Sequence, residues 1–217
     1  MEKFIIQVAT DKHLHFAEII SKCMEDSSKV KGAGIAKRTP EYLIEKMKRN
    51  MAVIATNERR QWAGFCYIET FSNELYVANS GLIVAPEFRK SGLAKMIKKK
   101  IFNLSLEKYP NAKIFGLATG LAVMKINSEL GYKPVTYSEL TKDYQFWKGC
   151  ESCTNYDVLT GKQWENCLCT AMIFDPAVEL KNKNDNKENN FIKNIKLYER
   201  WMRFKINMLL QNKNKHD

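Results

Sequence analysis

A strand, a polar loop and a long helix follow one another between Leu82 and Lys108, and this succession constrains the fold most. The apolar run ends at Val84, and Pro86 prevents it from continuing as a paired strand. After Gly92, a helix is predicted from apolar residues spaced three and four positions apart: Leu93, Met96, Ile97, Ile101 and Leu104. The loop before it therefore offers unpaired main-chain N–H groups at the positive end of a helix, a geometry that binds phosphate or pyrophosphate.

The composition indicates one domain of ordinary size with an appendage. The chain has 217 residues, of which 45% are hydrophobic, so a sizeable core is expected. No apolar run approaches the ~20 residues of a membrane span, and the first residues do not resemble a signal peptide. We therefore expect a cytoplasmic protein without a membrane partner. The net charge of +11 suits a small polyanion as ligand, and it does not by itself favour nucleic acid.

The predicted elements alternate in a definite order. A strand is followed by two helices, three antiparallel strands, the helix of the polar loop, and then strand, helix and strand. Thr39 and Pro40 form a clear start signal for the second helix. The predicted strands cover 4–8, 52–55, 62–70, 75–84, 113–119 and 133–137, with a last strand over 166–174, and the helices cover 11–24, 39–49, 92–108 and 121–130.

The polar loop carries a resemblance to a known family. The residues Arg89, Lys90, Ser91, Gly92, Leu93 and Ala94 resemble the R/Q-x-x-G-x-G/A signature of the GNAT superfamily of acyltransferases. The order of elements and the pair Gly131-Tyr132 agree with that family. The resemblance covers residues 1–140 and extends more weakly to 176. It implies an α/β fold whose mixed, centrally antiparallel sheet splays between strands 4 and 5, is flanked by helices, and is followed by a C-terminal helical extension.

The resemblance also implies acetyl-CoA as cofactor. In the family, the signature loop holds the pyrophosphate of an acyl-CoA, which assigns 89–94 to that role here. The pantetheine lies in the wedge between the two splayed strands, where the main chain of Leu82, Ile83 and Val84 would pair with it. Asn127 would hydrogen-bond the thiol or the pantetheine.

The catalytic residues are where this sequence departs from the family. Asn127 stands where the family has a tyrosine that protonates the leaving thiolate, and an amide cannot do this. The strand over 75–84 also lacks a glutamate, so Glu69 on the preceding strand is the candidate base. Tyr137 or Tyr132 could replace the missing acid. Each of these residues could instead be purely structural.

The loop before Pro40 suggests the acceptor amine. Lys31, Lys37 and Arg38 make this loop basic, which favours an acceptor with a carboxylate, such as an amino acid. The run Gly34–Thr39 is faintly similar to the basic loop of N-acetylglutamate-synthase-type members of the family. A solvated loop is the alternative, and Arg38 is the substrate-binding residue that we predict.

Four of the six cysteines stand in two close pairs, Cys150-x2-Cys153 and Cys167-x-Cys169. Two pairs on two turns could close a structural zinc site with four thiolate ligands. The alternatives are reduced, packed thiols and a redox pair. The spacing of the second pair would place Cys167 and Cys169 on one face of the last strand.

The C-terminal part divides into a linker and a helix. We predict an acyltransferase domain over 1–176, with a cysteine insert at 150–169, a polar linker over 177–190 and an amphipathic helix over 191–217. The helix could dock onto the domain or onto a second subunit of a homodimer. Membrane-surface and nucleic-acid binding are the less favoured alternatives.

Taken together, these features predict an acyl-CoA-dependent N-acetyltransferase that acts on a small amine or amino acid. A protein N-acetyltransferase is the first alternative. A basic, non-catalytic module that binds nucleic acid or regulates another protein is the second, because Asn127 removes the usual acid.

Overall fold

A computed structural model describes residues 2–29 and 35–182, together with the isolated positions 199, 202 and 203. The chain divides into two compact units, Met1–Ala177 and Val178–Asp217. The part of the predicted linker that is described is helical up to residue 182. The predicted helix over 191–217 lies outside the described residues, apart from those three positions, and it stays a prediction.

The described elements agree closely with the predicted ones. The strands are β1 Phe4–Val8, β2 Ala52–Asn57, β3 Trp62–Phe71, β4 Tyr76–Val84, β5 Lys113–Ala118, β6 Lys133–Pro134 and β7 Thr170–Phe174. The helices are α1 Ala17–Ser28, α2 Pro40–Lys48, α3 Leu93–Lys108, α4 Leu121–Glu129, α5 Tyr144–Lys148, α6 Tyr156–Gly161 and α7 Pro176–Asn182, with single 3-10 turns or short 3-10 helices at Asp11–Phe16, Pro86–Phe88 and Tyr137–Glu139.

The strands form a single seven-stranded sheet in the order β1-β2-β3-β4-β5-β7-β6. All neighbours are antiparallel except β4 and β5, which are parallel. This confirms the predicted mixed, centrally antiparallel α/β fold.

The parallel pair β4–β5 separates after three residues. Tyr76, Val77 and Ala78 pair with β5, the last of them with Phe115, and no described strand pairs with β4 on this side beyond that point. Asn79 and Gly116 are therefore the first residues of a wedge between the strands. A register shift on the other side of β4, between Phe65 and Tyr67, marks a β-bulge. The splay predicted between strands 4 and 5 is confirmed.

The two faces of the sheet are covered by different helices. Phe65 and Tyr67 share a core cluster with residues of α1 and α2, such as Ile20 and Leu43. Side chains alternate along a strand, so Cys66 faces the other way, towards α3. Below, these are called the α1/α2 face and the α3 face.

Two predicted elements differ from the observed ones at one end, where local hydrogen bonds favour a 3-10 conformation. The helix predicted over 11–24 starts as a 3-10 helix, where the main-chain N–H of Thr10 donates to His13 Nδ1 at 3.0 Å. The strand predicted to reach Tyr137 ends at Pro134, because Thr136 and Glu139 form a capping box that starts a 3-10 turn.

The last predicted strand also starts later than expected. Thr170 is its first residue, so Cys167 and Cys169 precede the strand and do not share one of its faces. None of the helices in the described part of the chain is long and apolar enough to cross a membrane.

Candidate active site

The polar loop leads from β4 into α3 with its main-chain N–H groups exposed. Lys90 and Gly92 have positive φ angles, 64° and 81°, and the Ser91 hydroxyl donates to the Phe88 carbonyl at 2.6 Å. Within the described residues, the N–H groups of Lys90, Ser91 and Gly92 have no hydrogen-bond acceptor. A Cβ atom at Gly92 would meet no atom within 4 Å. The loop is therefore an open cradle for an anionic group at the start of a 16-residue helix.

The open end of the wedge between β4 and β5 lies near this loop. Leu82, Ile83 and Val84 form the end of β4, on the edge that no described strand pairs with. Arg89 extends back over this end, where its Nε donates to the Val84 carbonyl at 3.3 Å. The structure thus brings the predicted pyrophosphate loop and the predicted pantetheine strand into one continuous surface.

Glu69 lies beside the point where the wedge opens. It pairs across the sheet with Ala78, the last β4 residue that pairs with β5. Its carboxylate accepts a short hydrogen bond from the hydroxyl of Tyr42 on α2. The guanidinium of Arg38 lies 3.9 Å from the same carboxylate and donates from Nε to the Tyr67 hydroxyl at 2.8 Å.

These four residues, Arg38, Tyr42, Tyr67 and Glu69, form what we call the acceptor cluster on the α1/α2 face. The side chains of Arg38 and Glu69 are only 16% and 14% exposed, so they interact with little screening by solvent. Burial, and then the charge of Glu69, raises the pKa of both tyrosines, which therefore stay protonated. The Tyr42 hydroxyl donates to Glu69, and the Tyr67 hydroxyl accepts from Arg38. The cluster holds one partly buried carboxylate in a fixed orientation.

The α3 face carries a second polar group of residues at the same level of the sheet. The Asn79 side chain forms hydrogen bonds with the Ser105 hydroxyl at 2.8 Å and with the Tyr132 hydroxyl at 2.9 Å. Asn127 is 1% exposed, and its amide lies 3.7 Å from the sulfur of Met172. The Asn127 Oδ1 has no hydrogen-bond partner among the described residues. Met172 pairs with Gly116 at the start of the wedge. Asn127, whose oxygen is unsatisfied, therefore contacts a residue that lies next to the wedge.

Tyr137 lies within the core, and its hydroxyl already donates a hydrogen bond within the protein. It is 6% exposed and donates to the main-chain carbonyl of Cys169 at 2.9 Å. Burial, together with the neighbouring thiols of Cys169, Cys167 and Cys150, raises its pKa. A catalytic role for Tyr137 stays a prediction, but its contacts are those of a buried structural tyrosine.

The four cysteines of the insert come together in space. Cys167 and Cys169 are buried, and their mutual hydrogen bond, followed by burial, raises the pKa of Cys169. Burial and the nearby Cys153 and Cys167 raise the pKa of Cys150 to about 12. The thiols of Cys150 and Cys169 are therefore protonated at neutral pH.

No metal centre is evident in the described residues. Within ranges 2–29 and 35–182, no group of three or more His, Cys, Asp or Glu side chains is arranged to hold a metal ion. Zinc bound by Cys150, Cys153, Cys167 and Cys169 stays a prediction. Gly149, the residue just before the insert, lies against Arg38: a Cβ there would be 3.3 Å from Arg38 Nη2. The start of the insert therefore lies next to the acceptor cluster.

Sequence reasoning identifies Glu69 and Arg38 but not their partners. Tyr42 and Tyr67 look like ordinary core aromatics in the sequence, and only the packing of β3 against α2 brings their hydroxyls to Glu69 and Arg38. Lys98 is not singled out either, because a lysine on a helix is normally a solvent-facing residue. Of the predicted basic loop, Lys31 and Gly34 lie outside the described residues.

The sequence matches no protein-family model and no curated protein. The structure, in contrast, is similar to many solved structures. One is an N-acetylglutamate synthase from Neisseria gonorrhoeae, solved with coenzyme A and N-acetyl-glutamate. Its TM-score is 0.56 at 14% identity, over 80% of this chain and 35% of that chain. This chain thus spans about a third of the length of that synthase.

Two other similar structures are matched over most of their own length. A GNAT superfamily phosphinothricin acetyltransferase from Sinorhizobium meliloti, in complex with AcCoA, has a TM-score of 0.53 at 14% identity, over 78% of this chain and 86% of that one. Diaminobutyrate acetyltransferase from Paenibacillus lautus, in complex with L-2,4-diaminobutyric acid and coenzyme A, has a TM-score of 0.53 at 9% identity. The match covers 81% of this chain and 96% of that one. At these identities the likeness concerns the fold alone: the chain has the GNAT fold.

Proposed function

We propose that this protein is an acyl-CoA-dependent N-acyltransferase that transfers an acetyl group from acetyl-CoA to a small amine or amino acid. One observation carries the proposal: an open loop with free main-chain N–H groups leads along an unpaired strand edge to a partly buried carboxylate. The loop is at 89–92, the edge is the wedge side of β4, and the carboxylate is Glu69. The enzymes named above bind CoA or acetyl-CoA on this fold, which supports the same donor here.

The donor would lie along the wedge. The N–H groups of Lys90, Ser91 and Gly92 hold the pyrophosphate, with Arg89 and Lys90 supplying positive charge. The main-chain groups of Leu82, Ile83 and Val84 on the wedge side of β4 pair with the pantetheine. From Val84 to Asn79 this edge is roughly 17 Å long at the rise of a β-strand. An extended arm anchored at the loop therefore ends where Asn79 and Gly116 separate.

The acceptor would approach from the α1/α2 face. Glu69 removes a proton from the amine, directly or through one water, as the nitrogen attacks the thioester carbonyl. The Tyr42 hydroxyl and Arg38 keep the carboxylate aimed. Fixing both reactants at the end of the wedge supplies a further large part of the rate.

Binding of the donor tests the proposal directly. Gly92→Asp adds a negative charge at the loop, whereas Gly92→Asn has the same shape without charge, and both side chains tolerate a positive φ. We expect acetyl-CoA to bind the wild type and the Asn variant with similar affinity in calorimetry. The Asp variant should bind at least about tenfold more weakly, because its charge repels the pyrophosphate.

The outcomes of that experiment separate the alternatives. A folded wild type that does not bind acetyl-CoA would show that the proposal is wrong. Binding without release of free CoA in the presence of any amine would instead favour a non-catalytic module on the same fold. Equal binding by the Asp and Asn variants would remove the loop from the donor site.

An amino acid is the acceptor that Arg38 favours. Two of the enzymes compared above were solved with N-acetyl-glutamate or diaminobutyric acid, which supports a carboxylate-bearing acceptor here. Arg38 has five N–H donors, and its contacts with Tyr67, the Lys37 carbonyl and Glu69 leave room for a further acceptor.

Replacing Arg38 by Gln should therefore raise KM for amino acids more than for the corresponding amino-acid amides. The expected change in their ratio is about tenfold or more, because a charge-assisted hydrogen bond to the carboxylate is lost. Arg49→Gln is the matched control, since Arg49 is exposed and pairs with Glu45. Equal losses for acids and amides would mean that Arg38 only positions Glu69.

The cytoplasmic location and a homodimer stay predictions.

A further inference from the structure

Lys98 is a lysine on α3 that is buried in the interior of the protein. It is 2% exposed, whereas its neighbours Lys99 and Lys100 on the same helix are exposed. In the part of the chain that the structure describes, its ammonium group has neither a hydrogen bond nor an ion pair. Its favourable contact there is with the face of the Tyr132 ring, whose centroid lies 5.1 Å from Nζ. A buried cation without a counter-ion is costly, so a reason for it is needed.

The position of this ammonium group is specific. Its Nζ lies 4.0 Å from the point where a Cβ of Gly116 would stand, and the Asn79 carbonyl lies 3.9 Å from the same point. Asn79 and Gly116 are the first residues past the last pair of β4 and β5. Lys98 therefore approaches the apex of the wedge from the α3 face, while Glu69 approaches it from the α1/α2 face.

No charged group among the described residues balances the positive charge of the Lys98 ammonium group. The titratable groups that face it are the Cys66 thiol on β3 and the Tyr132 hydroxyl after α4. Burial raises the pKa of Cys66 to about 11 and that of Tyr132 well above its ordinary value, so both are neutral at pH 7. Burial in turn lowers the pKa of Lys98 to about 8. An ammonium with this pKa can give up its proton near neutral pH.

We propose that Lys98 is the proton donor to the sulfur of CoA when the thioester bond breaks. The inference rests on the proposed function, which places the end of the pantetheine arm at Asn79 and Gly116. In this step the carbon–sulfur bond breaks, its electron pair goes to sulfur, and the Lys98 ammonium gives a proton to the thiolate. The nitrogen of the acceptor forms the new bond to the acetyl carbon and loses its proton to Glu69. Before the next turnover, Glu69 releases this proton to solvent and Lys98 regains one from solvent. Lys98 thus takes the role that Asn127, an amide, cannot have.

The Lys98→Met variant tests this role, because it removes both the positive charge and the transferable proton from that site. Methionine has a similar length and suits an apolar interior, so the variant should fold, with a melting temperature equal to or above that of the wild type. We expect kcat to fall about 100-fold, near the low end for general acid catalysis, because a thiolate is already a fair leaving group. Lys99→Met is the matched control, since Lys99 is exposed one residue further along the helix.

Two readouts distinguish proton donation from a merely structural role. The kcat/KM of the wild type for acetyl-CoA should fall as the pH rises through about 8, because Lys98 loses its proton, and the Met variant should lack this fall. The ultraviolet absorbance of the thiolate gives the pKa of bound CoA. This pKa should be lower in the wild type than in the Met variant, because the nearby ammonium stabilises the thiolate.

The outcomes also separate this inference from the proposed function. A wild type that does not bind acetyl-CoA would overturn both. If the wild type binds and transfers acetyl groups, but the Met variant has the same pH profile and the same pKa for bound CoA, the proposed function stands and the role of Lys98 is wrong. A loss of activity that is equal at every pH would likewise contradict proton donation.

Discussion

Replacing Glu69 by Gln is expected to lower kcat for acetyl transfer about 100- to 1,000-fold while the affinity for acetyl-CoA stays unchanged. The amide keeps the size of the carboxylate and can still accept the hydrogen bond from Tyr42, so the acceptor cluster should stay folded. It cannot accept a proton from the attacking amine. Because the donor would bind along β4 and the loop at 89–92, calorimetry with acetyl-CoA should not detect the change.

Two further variants show whether the carboxylate acts as a base. Glu45→Gln is the matched control on α2, where Glu45 is exposed and pairs with Arg49, and it should have wild-type activity. Tyr42→Phe removes the hydroxyl that orients Glu69 and should lower kcat about tenfold, between the control and Glu69→Gln. Wild-type kcat in Glu69→Gln would mean that another group, or solvent, removes the proton.

Gly81→Ala is expected to destabilise the protein by about 3 kcal/mol, the largest effect on stability that we predict. Gly81 lies in the bulged part of β4 with a φ of 63°. A Cβ there would lie 2.8 Å from Cε of Met24 and 2.9 Å from Cδ1 of Tyr67, which is closer than carbon atoms pack. A left-handed backbone conformation costs an alanine ~1 kcal/mol, and overpacking a core costs ~1–3 kcal/mol.

Urea denaturation would measure this change as a lower midpoint at an unchanged m value. Gly161→Ala is the control, because Gly161 is the last residue of α6 and a Cβ there would meet nothing within 4 Å. That variant should be as stable as the wild type or slightly more stable. If Gly81→Ala were as stable as the wild type, the prediction would be wrong: the backbone of the bulge would then have to shift enough to accommodate the methyl group without displacing Tyr67.

The fold could be predicted from the sequence because its local signals agree with each other. Thr39 and Pro40 begin α2 as predicted, and the Thr39 hydroxyl accepts a hydrogen bond from the Tyr42 N–H. The alternation of apolar residues places β2, β3 and β4 in an antiparallel meander. The failures occur at 135–139 and 166–169, where capping and turn hydrogen bonds decide the conformation and periodicity carries no information.

The site could be predicted only in part, because its chemistry depends on contacts between distant segments. The loop at 89–94 is recognisable from neighbouring residues alone. The environment of Glu69 depends on Tyr42 of α2, which is 27 positions away in sequence, and that of Lys98 depends on β5 and Tyr132. No pattern along α3 distinguishes Lys98 from the exposed lysines beside it, since only the neighbouring strands determine which of them is buried.

The early separation of β4 and β5 also makes the free protein an incomplete sheet. Past Ala78, one side of β4 faces no described strand, so its main-chain groups there lack the partners that complete the rest of the sheet. A molecule that pairs with this edge acts as a missing strand, and its binding energy adds to the free energy of unfolding. Ligands of the wedge should therefore be detectable as a concentration-dependent rise in melting temperature, which allows acyl donors to be compared before the acceptor amine is known.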